Sequence, residues 1–209
     1  MVQAQELVLT TLHVYRIPFS TNVERVALAA GHKELAVEWI DVDPGDRSAV
    51  EAASGQPLVP VLVHGGEVVS DSPAILDWLD ERFPDPPLYP ADPAARAEVE
   101  IFVQWFNLVW KGPPNELVAV EDGTRAATLR ARMRASIGLF ESLLHDREYL
   151  FGAFGMADVI AFPFLKYAAF GLPAGDDELF HRILVEQLPL EPESPIHAWA
   201  RRVDAHPRG

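Results

Sequence analysis

The chain contains 209 residues, of which 31 are acidic and 17 basic, with a formal net charge of -14 and no cysteine. A chain of this length forms one large domain or two small ones, and its 49% hydrophobic residues can form a buried core. The negative charge argues against a nucleic acid or an anionic membrane surface as the main partner. Because there is no cysteine, disulfides, thiolate metal sites and protein thiol nucleophiles are excluded, so thiol chemistry would need a thiol from the substrate.

The apolar segments indicate neither a targeting peptide nor a membrane span. Residues 1–6 are polar and lack the basic start and apolar stretch of a signal peptide. The most apolar stretch, residues 151–172, is interrupted by Asp158, Pro163 and Lys166, which is typical of a buried helix. We therefore expect a soluble, cytoplasmic protein.

The first 83 residues alternate between the patterns of strands and helices. In chain order the patterns predict a strand at 7–15, a helix at 22–30, a strand at 36–40, a short helix at 47–53, strands at 59–63 and 68–69, and a helix at 72–83. Gly31 is predicted to end the first helix, and residues 64–67 to form a hairpin turn. The helical crossover implies a parallel strand pair and the hairpin an antiparallel edge, in the order β-α-β-α-β-β-α.

Residues 84–93 contain five prolines, which favour a stiff, extended linker. Beyond it the patterns predict helices at 94–111, 124–145, 156–170, 177–187 and 195–205, with a Gly-Pro-Pro break at 112–114. The expected architecture is an α/β domain at 1–83, a linker at 84–93 and an all-helical domain at 94–209. The crevice between two such domains is a common place for a ligand.

Ser20 lies where the first helix is predicted to begin, and it has two interpretations. Serine is a favoured N-cap residue, which is a structural role. Alternatively, its hydroxyl and the helix start could together stabilise an anion. The two interpretations are compatible at neighbouring residues, but a single hydroxyl proton can point only one way, and the residue pattern leaves both open.

Two further segments could bind a peptide-like ligand. A proline bond is usually trans, but a cis bond between Val59 and Pro60 would turn the Val59 N–H and C=O toward the crevice, where an extended peptide could pair with them. Ser72 followed by proline predicts a helix start with Ser72 as N-cap. The same helix start could hold a carboxylate while Asp71 binds the adjacent ammonium group of an α-amino acid.

Other noticeable residues favour structural roles. The seven histidines lack metal-ligand spacing, so no metal site is predicted. Asp158, in the first turn of a predicted helix, is typical of a residue that stabilises the preceding loop. Trp105, Phe106 and Trp110 stand at helical spacing, which is more typical of a core than of a ligand site.

In their order along the chain these segments resemble the cytosolic glutathione S-transferases, over nearly the whole length. Three motifs carry the resemblance: the family's cis-proline motif, its acidic-Ser-x-Ala-Ile motif and its Ala-Asp-x-x-x-x-Pro helix. In this chain they stand at Val59-Pro60, at Asp71-Ser72 with Ala74-Ile75, and at Ala157-Asp158 with Pro163. The resemblance implies a thioredoxin-like, glutathione-binding N-terminal domain and an all-α C-terminal domain.

The spacing of Tyr15, Ser20 and Arg25 is similar to that of the serine-type, phi-like plant and bacterial members, which activate glutathione with the serine. The resemblance therefore implies Ser20 as the activating residue, with Tyr15 as the runner-up. The cysteine types are excluded because the chain has no cysteine.

The resemblance also implies which residues bind glutathione. They are Val59, Pro60, Asp71 and Ser72, with Asn22 from the phi-like pattern and Gln56 as a substitute for the polar residue that many members have at Leu58. Arg47 is a weaker candidate for the glycyl carboxylate.

The implied reaction is attack by the thiolate of glutathione, the co-substrate, on a small hydrophobic electrophile, as in detoxification. Phe19, Phe106 and Trp110 are candidate residues of the acceptor pocket, and a homodimer is implied by resemblance alone. Two alternatives stay open. The chain could bind glutathione or a partner without turnover, or it could be a transferase that uses another low-molecular-weight thiol.

Overall fold

The computed structural model describes residues 11–209, which divide into two compact units. The first unit contains the described residues up to Leu88 together with His206–Gly209, and the second contains Tyr89–Ala205. The boundary between them lies within the proline-rich segment. The last four residues therefore belong with the α/β unit, although the sequence prediction assigned them to the helical domain.

A four-stranded mixed sheet organises the first unit. Its strands are β1 (Leu12–Arg16), β2 (Val37–Asp41), β3 (Val61–His64) and β4 (Glu67–Ser70), in the spatial order β2-β1-β3-β4. β1 is parallel to β2, whereas β3 is antiparallel to both β1 and β4. The predicted parallel pair and antiparallel hairpin are confirmed. The part of the first predicted strand at 7–10 lies outside the described residues.

Three helices complete this unit: α1 (Thr21–His32), α2 (Ser48–Ser54) and α3 (Ser72–Arg82). The predicted order β-α-β-α-β-β-α is thus confirmed for the described residues. The prediction that Ser72 is the N-cap of its helix is wrong. Asp71 occupies that position with a positive φ of 75°, and Ser72 is the first helical residue, with its hydroxyl bonded to residues of α1.

Gly31 does not end α1, contrary to prediction. The helix continues to His32 and is capped by Lys33, so the glycine has a different purpose. A Cβ atom on Gly31 would overlap the carbonyl oxygen of Pro207. The missing side chain therefore allows residues 206–209 to approach the helix backbone closely.

Residues 206–209 join α1 to the edge strand β2. The Gly209 N–H donates to the Ala27 carbonyl at 3.0 Å, and the Trp39 indole N–H donates to the Gly209 carbonyl oxygen at 2.7 Å. The Arg208 guanidinium also forms an ion pair with Glu24 of α1 at 3.2 Å. These contacts cover one side of the helix that carries the candidate site residues.

A buried lysine holds the beginning of the proline-rich segment on the first unit. The Lys33 ammonium donates to the Asp80 carboxylate at 2.8 Å and to the carbonyls of Phe83 and Pro86 at 2.7 and 2.9 Å. Asp80 also accepts the Leu88 N–H at 2.8 Å. All three ammonium protons thus have acceptors, which offsets the cost of burying the charge.

The second unit is helical. It contains α4 (Pro93–Trp105), a π-helical segment (Phe106–Trp110), α5 (Gly112–Leu117), α6 (Gly123–Leu143), α7 (Met156–Phe170), α8 (Leu179–Gln187) and α9 (Pro195–Asp204). The helix predicted at 94–111 is divided at the π-helical segment. The sequence at 112–114 begins α5, because prolines are tolerated in the first turn of a helix. None of the helices in residues 11–209 is both long enough and apolar enough to cross a membrane.

Helix α7 is buried along most of its length, and Asp158 fixes the loop before it. Its carboxylate accepts the Trp199 indole N–H at 2.7 Å and the backbone N–H groups of Leu150 and Gly155 at 3.1 Å each. The predicted structural role is confirmed. Burial raises the pKa of Asp158 to about 6, although the three donors favour the charged form.

We expect Gly31→Ala to lower the free energy of unfolding by about 1–3 kcal/mol, because the added methyl group must displace backbone atoms of residues 206–209. Gly138→Ala is the matched control, since Gly138 lies in α6 with nothing within 4 Å of its Cβ position. It should raise stability by up to about 1 kcal/mol through helix propensity. Urea unfolding measures both, and equal stabilisation by the two substitutions would contradict the close approach.

Asp158 should make stability fall as pH rises from about 4 to 6. Its folded-state pKa of about 6 exceeds the ordinary value of 3.8, so the folded protein binds more protons than the unfolded chain in this window. Asp158→Asn should remove up to about 3 kcal/mol of this pH dependence. Urea unfolding at several pH values measures the slope, and an unchanged slope in the variant would show that another group titrates.

Candidate functional site

Ser20 follows β1 and caps α1. Its backbone is extended, with φ -61° and ψ 114°, and its Oγ accepts the Val23 N–H at 3.4 Å. The N-cap interpretation is therefore confirmed. Capping uses a lone pair of the hydroxyl, not its proton, and no residue in the described part of the chain accepts that proton. The half-buried Ser20 hydroxyl can thus cap the helix and donate to a bound anion at the same time.

Directly after Ser20, a polar cluster of the half-buried Asn22 with the buried Arg25 and Ser72 joins α1 to α3. Arg25 donates through Nη1 to Asn22 Oδ1 and to Ser72 Oγ, each at 3.3 Å. The Ser72 hydroxyl donates to the same Asn22 oxygen at 3.3 Å. Because Asn22 and Arg25 lie in the first turns of α1 and Ser72 is the first residue of α3, the cluster fixes the two helix starts relative to each other.

The electrostatics of the cluster are dominated by the buried guanidinium. Burial lowers the pKa of Arg25 to about 9, and the nearby carboxylate of Asp71 opposes the shift. Arg25 therefore remains charged at neutral pH. Asp71 itself is exposed, so its carboxylate can meet a cationic group from solvent while it balances part of the Arg25 charge.

The structure brings Asn22, Asp71 and Ser72 together, as a glutathione-binding role requires. However, the three residues do not offer the same groups to a ligand. The side chains of Asn22 and Ser72 bond to Arg25 and to each other, and Ser72 is fully buried. What remains for a ligand is the start of α3 with its backbone N–H groups, together with the Asp71 carboxylate. Their contact with glutathione stays a prediction.

The peptide bond between Val59 and Pro60 is cis. Val59 precedes β3, and within the described residues no group forms a hydrogen bond with its backbone N–H or C=O. Gln56 organises the loop that leads to it: its side chain accepts the Leu58 N–H at 2.7 Å and donates to the Leu58 carbonyl at 2.9 Å. Gln56 was predicted to bind glutathione, but its side-chain amide is already engaged in these bonds to Leu58.

Arg47 likewise bonds to the protein itself. Its guanidinium donates to the carbonyl of Pro44 at 3.0 Å and to that of Pro57 at 3.3 Å. The contact ties the loop before α2 to the loop before Val59. Arg47 is half-buried, so these bonds are still open to exchange with solvent or an anion.

The two aromatic residues near Ser20 differ in their surroundings. Tyr15, on β1, is half-buried against the apolar cluster of Val42, Val50 and Val61. Phe19 directly precedes Ser20, has a positive φ of 62° and is 39% exposed. An exposed phenylalanine in this uncommon conformation offers an apolar surface beside the Ser20 hydroxyl.

Phe106 and Trp110 belong to the aromatic core of the second unit. Their rings stack with centroids 4.4 Å apart, and Phe106 is fully buried while Trp110 is 4% exposed. The interpretation as core residues is confirmed for both. Their contact with an electrophile, which the resemblance implied, stays a prediction.

The sequence reasoning used Arg25 as a spacing marker and missed the cluster that it forms. A signal was available, because Arg25 shares a face of its helix with the apolar residues Leu28 and Ala29, three and four positions later. An arginine there must find buried acceptors. The sequence does not reveal that one of these acceptors is Ser72, at the start of a helix 47 residues later.

Residues 11–209 contain no group of three or more His, Asp or Glu side chains placed to hold a metal ion.

Comparison with known proteins agrees with this geometry. A sequence profile described as "Glutathione S-transferase, N-terminal domain" matches residues 14–87. The chain is 25% identical over 195 residues to glutathione S-transferase U7 of Arabidopsis thaliana, covering 92% of this chain and 81% of that protein. It is 31% identical over 166 residues to FtsZ-localized protein A of Caulobacter vibrioides, covering 68% and 69% respectively. Several other curated relatives are matched over 40% to 43% of their own length.

Solved structures show the same fold. A rice glutathione S-transferase, determined in complex with glutathione, superimposes with a TM-score of 0.74 at 24% identity, covering 93% of this chain and 86% of the rice chain. The thioredoxin-like sheet with its helices and the helical second unit are thus features that this chain shares with that protein.

Removal of the Ser72 hydroxyl from the polar cluster is expected to destabilise the protein. Ser72→Ala should lower the free energy of unfolding by about 1–3 kcal/mol, because it removes a hydrogen-bond partner from buried groups of Asn22 and Arg25. Ser142→Ala is the matched control, since the exposed Ser142 hydroxyl in α6 donates to the Gly138 carbonyl of its own helix. It should change stability by less than about 0.5 kcal/mol. Thermal or urea unfolding measures both, and equal effects would contradict the cluster.

Proposed function

We propose that this chain, which belongs to the cytosolic glutathione S-transferase family, transfers glutathione to an electrophilic carbon of a small hydrophobic compound. The observation that carries the proposal is the Ser20 hydroxyl, which accepts the Val23 N–H as the N-cap of α1 and whose proton no described residue accepts. In this proposal the anion is the glutathione thiolate. We also propose, from the family, that the protein acts as a cytoplasmic homodimer.

The energetics of thiol activation are within reach of this arrangement. A free thiol has a pKa of about 8.5, and lowering it by about two units requires roughly 2.7 kcal/mol of preferential stabilisation of the thiolate. A hydrogen bond from a hydroxyl to an anion contributes about 1.5–3 kcal/mol, and a helix start adds roughly 0.3–1 kcal/mol. Ser20 and the N-terminus of α1 together meet this requirement.

The rest of the first unit supplies groups suited to the peptide part of glutathione. The backbone N–H and C=O of Val59, beside the cis bond to Pro60, can pair with an extended peptide. The start of α3 can hold the γ-glutamyl carboxylate, and Asp71 the neighbouring ammonium group. Asn22 and Gln56 act in this proposal through the elements they hold in place. The fold shared with the glutathione-bound rice structure supports this assignment.

The proposed reaction is a nucleophilic substitution. With 1-chloro-2,4-dinitrobenzene, the thiolate forms a C–S bond to the ring carbon, and chloride leaves with the electron pair of the C–Cl bond. The thiol proton passes to solvent when the thiolate forms. In this proposal Phe19 contacts an aromatic electrophile beside Ser20, and Phe106 and Trp110 contribute as apolar residues of the second unit.

Replacing Ser20 separates the catalytic role from the capping role. Ser20→Gly should reduce kcat/KM for conjugation about 10- to 100-fold, because the proton donor is lost, while stability falls by only a few tenths of a kcal/mol, since glycine is tolerated as N-cap. Ser20→Thr keeps a hydroxyl and should retain most of the activity. The matched control is Ser194→Gly, which removes the serine N-cap of α9. Steady-state conjugation and urea unfolding measure these effects.

Two results would contradict the role of Ser20. One is a Ser20→Gly variant with the kcat/KM of the original protein. The other is a Ser194→Gly variant that loses conjugation activity in the same proportion as its stability, which would show that helix capping alone explains the effect.

A second candidate function is binding without turnover. It is favoured by the similarity to FtsZ-localized protein A, whose name describes a location and not a reaction. Retention on immobilised glutathione, followed by the conjugation assay, distinguishes the two functions. Retention with no conjugation would favour the binding module, whereas neither retention nor conjugation would favour another thiol or another ligand.

A further inference from the structure

Two histidines meet where residues 206–209 approach α1 most closely. The approach is at Gly31, where a Cβ atom would overlap the carbonyl oxygen of Pro207. His32 directly follows this glycine, and His206 directly precedes this proline. Their half-buried imidazole rings lie with centroids 6.5 Å apart and with planes tilted by 57°. Because histidine is the side chain that ordinarily changes its charge near neutral pH, the charge at this contact depends on pH.

The other charged groups beside the two rings are already paired with one another. Beside the first ring, the Lys33 ammonium forms an ion pair with Asp80 of α3 at 2.8 Å. Beside the second ring, the Arg208 guanidinium forms an ion pair with Glu24 of α1 at 3.2 Å. Each pair is neutral as a whole. Protonation of the histidines therefore adds positive charge that these two pairs do not compensate.

His32 resists protonation in the folded protein. Burial is the main cause that lowers its pKa, and the charge of Lys33 acts in the same direction. A hydrogen bond to the backbone of Pro87 and the charge of Asp80 oppose the shift without reversing it. Asp80 is also shared, since its carboxylate accepts the Lys33 ammonium and the Leu88 N–H. The neutral imidazole is therefore the favoured form in the docked arrangement.

His206 is also favoured in its neutral form, and the two rings oppose each other's protonation. Burial lowers the pKa of His206, and the charges of His32 and Arg208 lower it further. Once residues 206–209 leave the helix, His206 is in solvent, where a histidine has a pKa of about 6.5. Below this pH the released arrangement binds more protons than the docked one, so acidification shifts the equilibrium toward release.

We propose that His32 and His206 form a pH-dependent latch, which holds residues 206–209 on α1 and β2 at neutral pH and releases them when the rings are protonated. All of its groups lie within the first unit, and none of them is assigned to thiol activation or to glutathione. The latch is thus a property in addition to the proposed transferase function, and its test does not depend on conjugation.

The Gly209 amide reports directly on the latch. Its N–H donates to the Ala27 carbonyl at 3.0 Å, and its carbonyl oxygen accepts the Trp39 indole N–H at 2.7 Å. Hydrogen exchange of the full chain, followed by NMR with isotope-labelled glycine, measures the protection factor of this amide. Lowering the pH from about 7.5 to about 5 should reduce that protection factor about 10- to 30-fold, which is the contribution of one histidine with a pKa near 6.5 after release.

The Gly171 amide is the internal reference. Its N–H donates to the Tyr167 carbonyl at 2.9 Å at the end of α7, in the second unit. Its protection factor should not fall over the same pH range, because no part of the latch contacts α7. Preserved protection of Gly171 in each variant also shows that the variant is folded.

Three variants separate the histidine charge from other effects of pH. His206→Gln cannot be protonated and should keep the Gly209 protection factor at about pH 5 within about threefold of its neutral value. His206→Lys is charged throughout and should lose protection about 10-fold or more already at neutral pH. His145→Gln is the matched control, since it replaces an exposed histidine beside Asp146 in the second unit, and it should behave as the original protein does.

Several results would overturn the proposal. One is the same pH dependence of Gly209 protection in His206→Gln as in the original protein, and another is full protection of Gly209 in His206→Lys at neutral pH. A Gly209 amide that is unprotected at neutral pH, or equally protected at both pH values, would also overturn it. A parallel loss of protection at Gly171 would show general unfolding in place of local release, with the same consequence.

Discussion

The buried guanidinium of Arg25 determines how the candidate site is assembled. It bonds to Asn22 within its own helix and to Ser72 at the start of α3, and the Ser72 hydroxyl closes the triangle on the same Asn22 oxygen. A buried charge is tolerated only with such partners, since an unpaired one would cost several kcal/mol. The requirement to satisfy Arg25 therefore fixes where α3 begins relative to α1, and with it the positions of Ser20 and Asp71.

Several residues implicated by resemblance use their side chains on the protein itself. Asn22 and Ser72 use their side-chain hydrogen bonds on Arg25, Gln56 on the loop at Leu58, and Arg47 on two carbonyls. The groups left for a ligand are the Ser20 proton, the Val59 backbone, the start of α3 and the Asp71 carboxylate. These are the donors and acceptors that an anionic thiol and a peptide with an amino-acid head group require.

Local patterns in the sequence were sufficient to predict most of the strands and helices and their order. Alternating and helical periodicities indicated the order of strands and helices, and the glycine pair at 65–66 indicated the antiparallel hairpin. Contacts between distant parts of the chain were not accessible in this way. Gly31 has the pattern of a helix end, but it serves the approach of Pro207, and Lys33 looks like a surface lysine although it holds Asp80 and two carbonyls of the proline-rich segment. Both roles depend on residues that are far away along the chain.

In the proposed function, Ser20 uses its acceptor capacity to cap α1 and its proton to stabilise a thiolate. The most direct measurement is the pKa of the glutathione thiol in its complex with the protein, from the ultraviolet absorbance of the thiolate as a function of pH. We expect the pKa to lie about two units below that of free glutathione, and to return toward the free value in Ser20→Gly but not in Ser194→Gly. An unchanged pKa of the bound thiol in Ser20→Gly would show that Ser20 does not stabilise the thiolate.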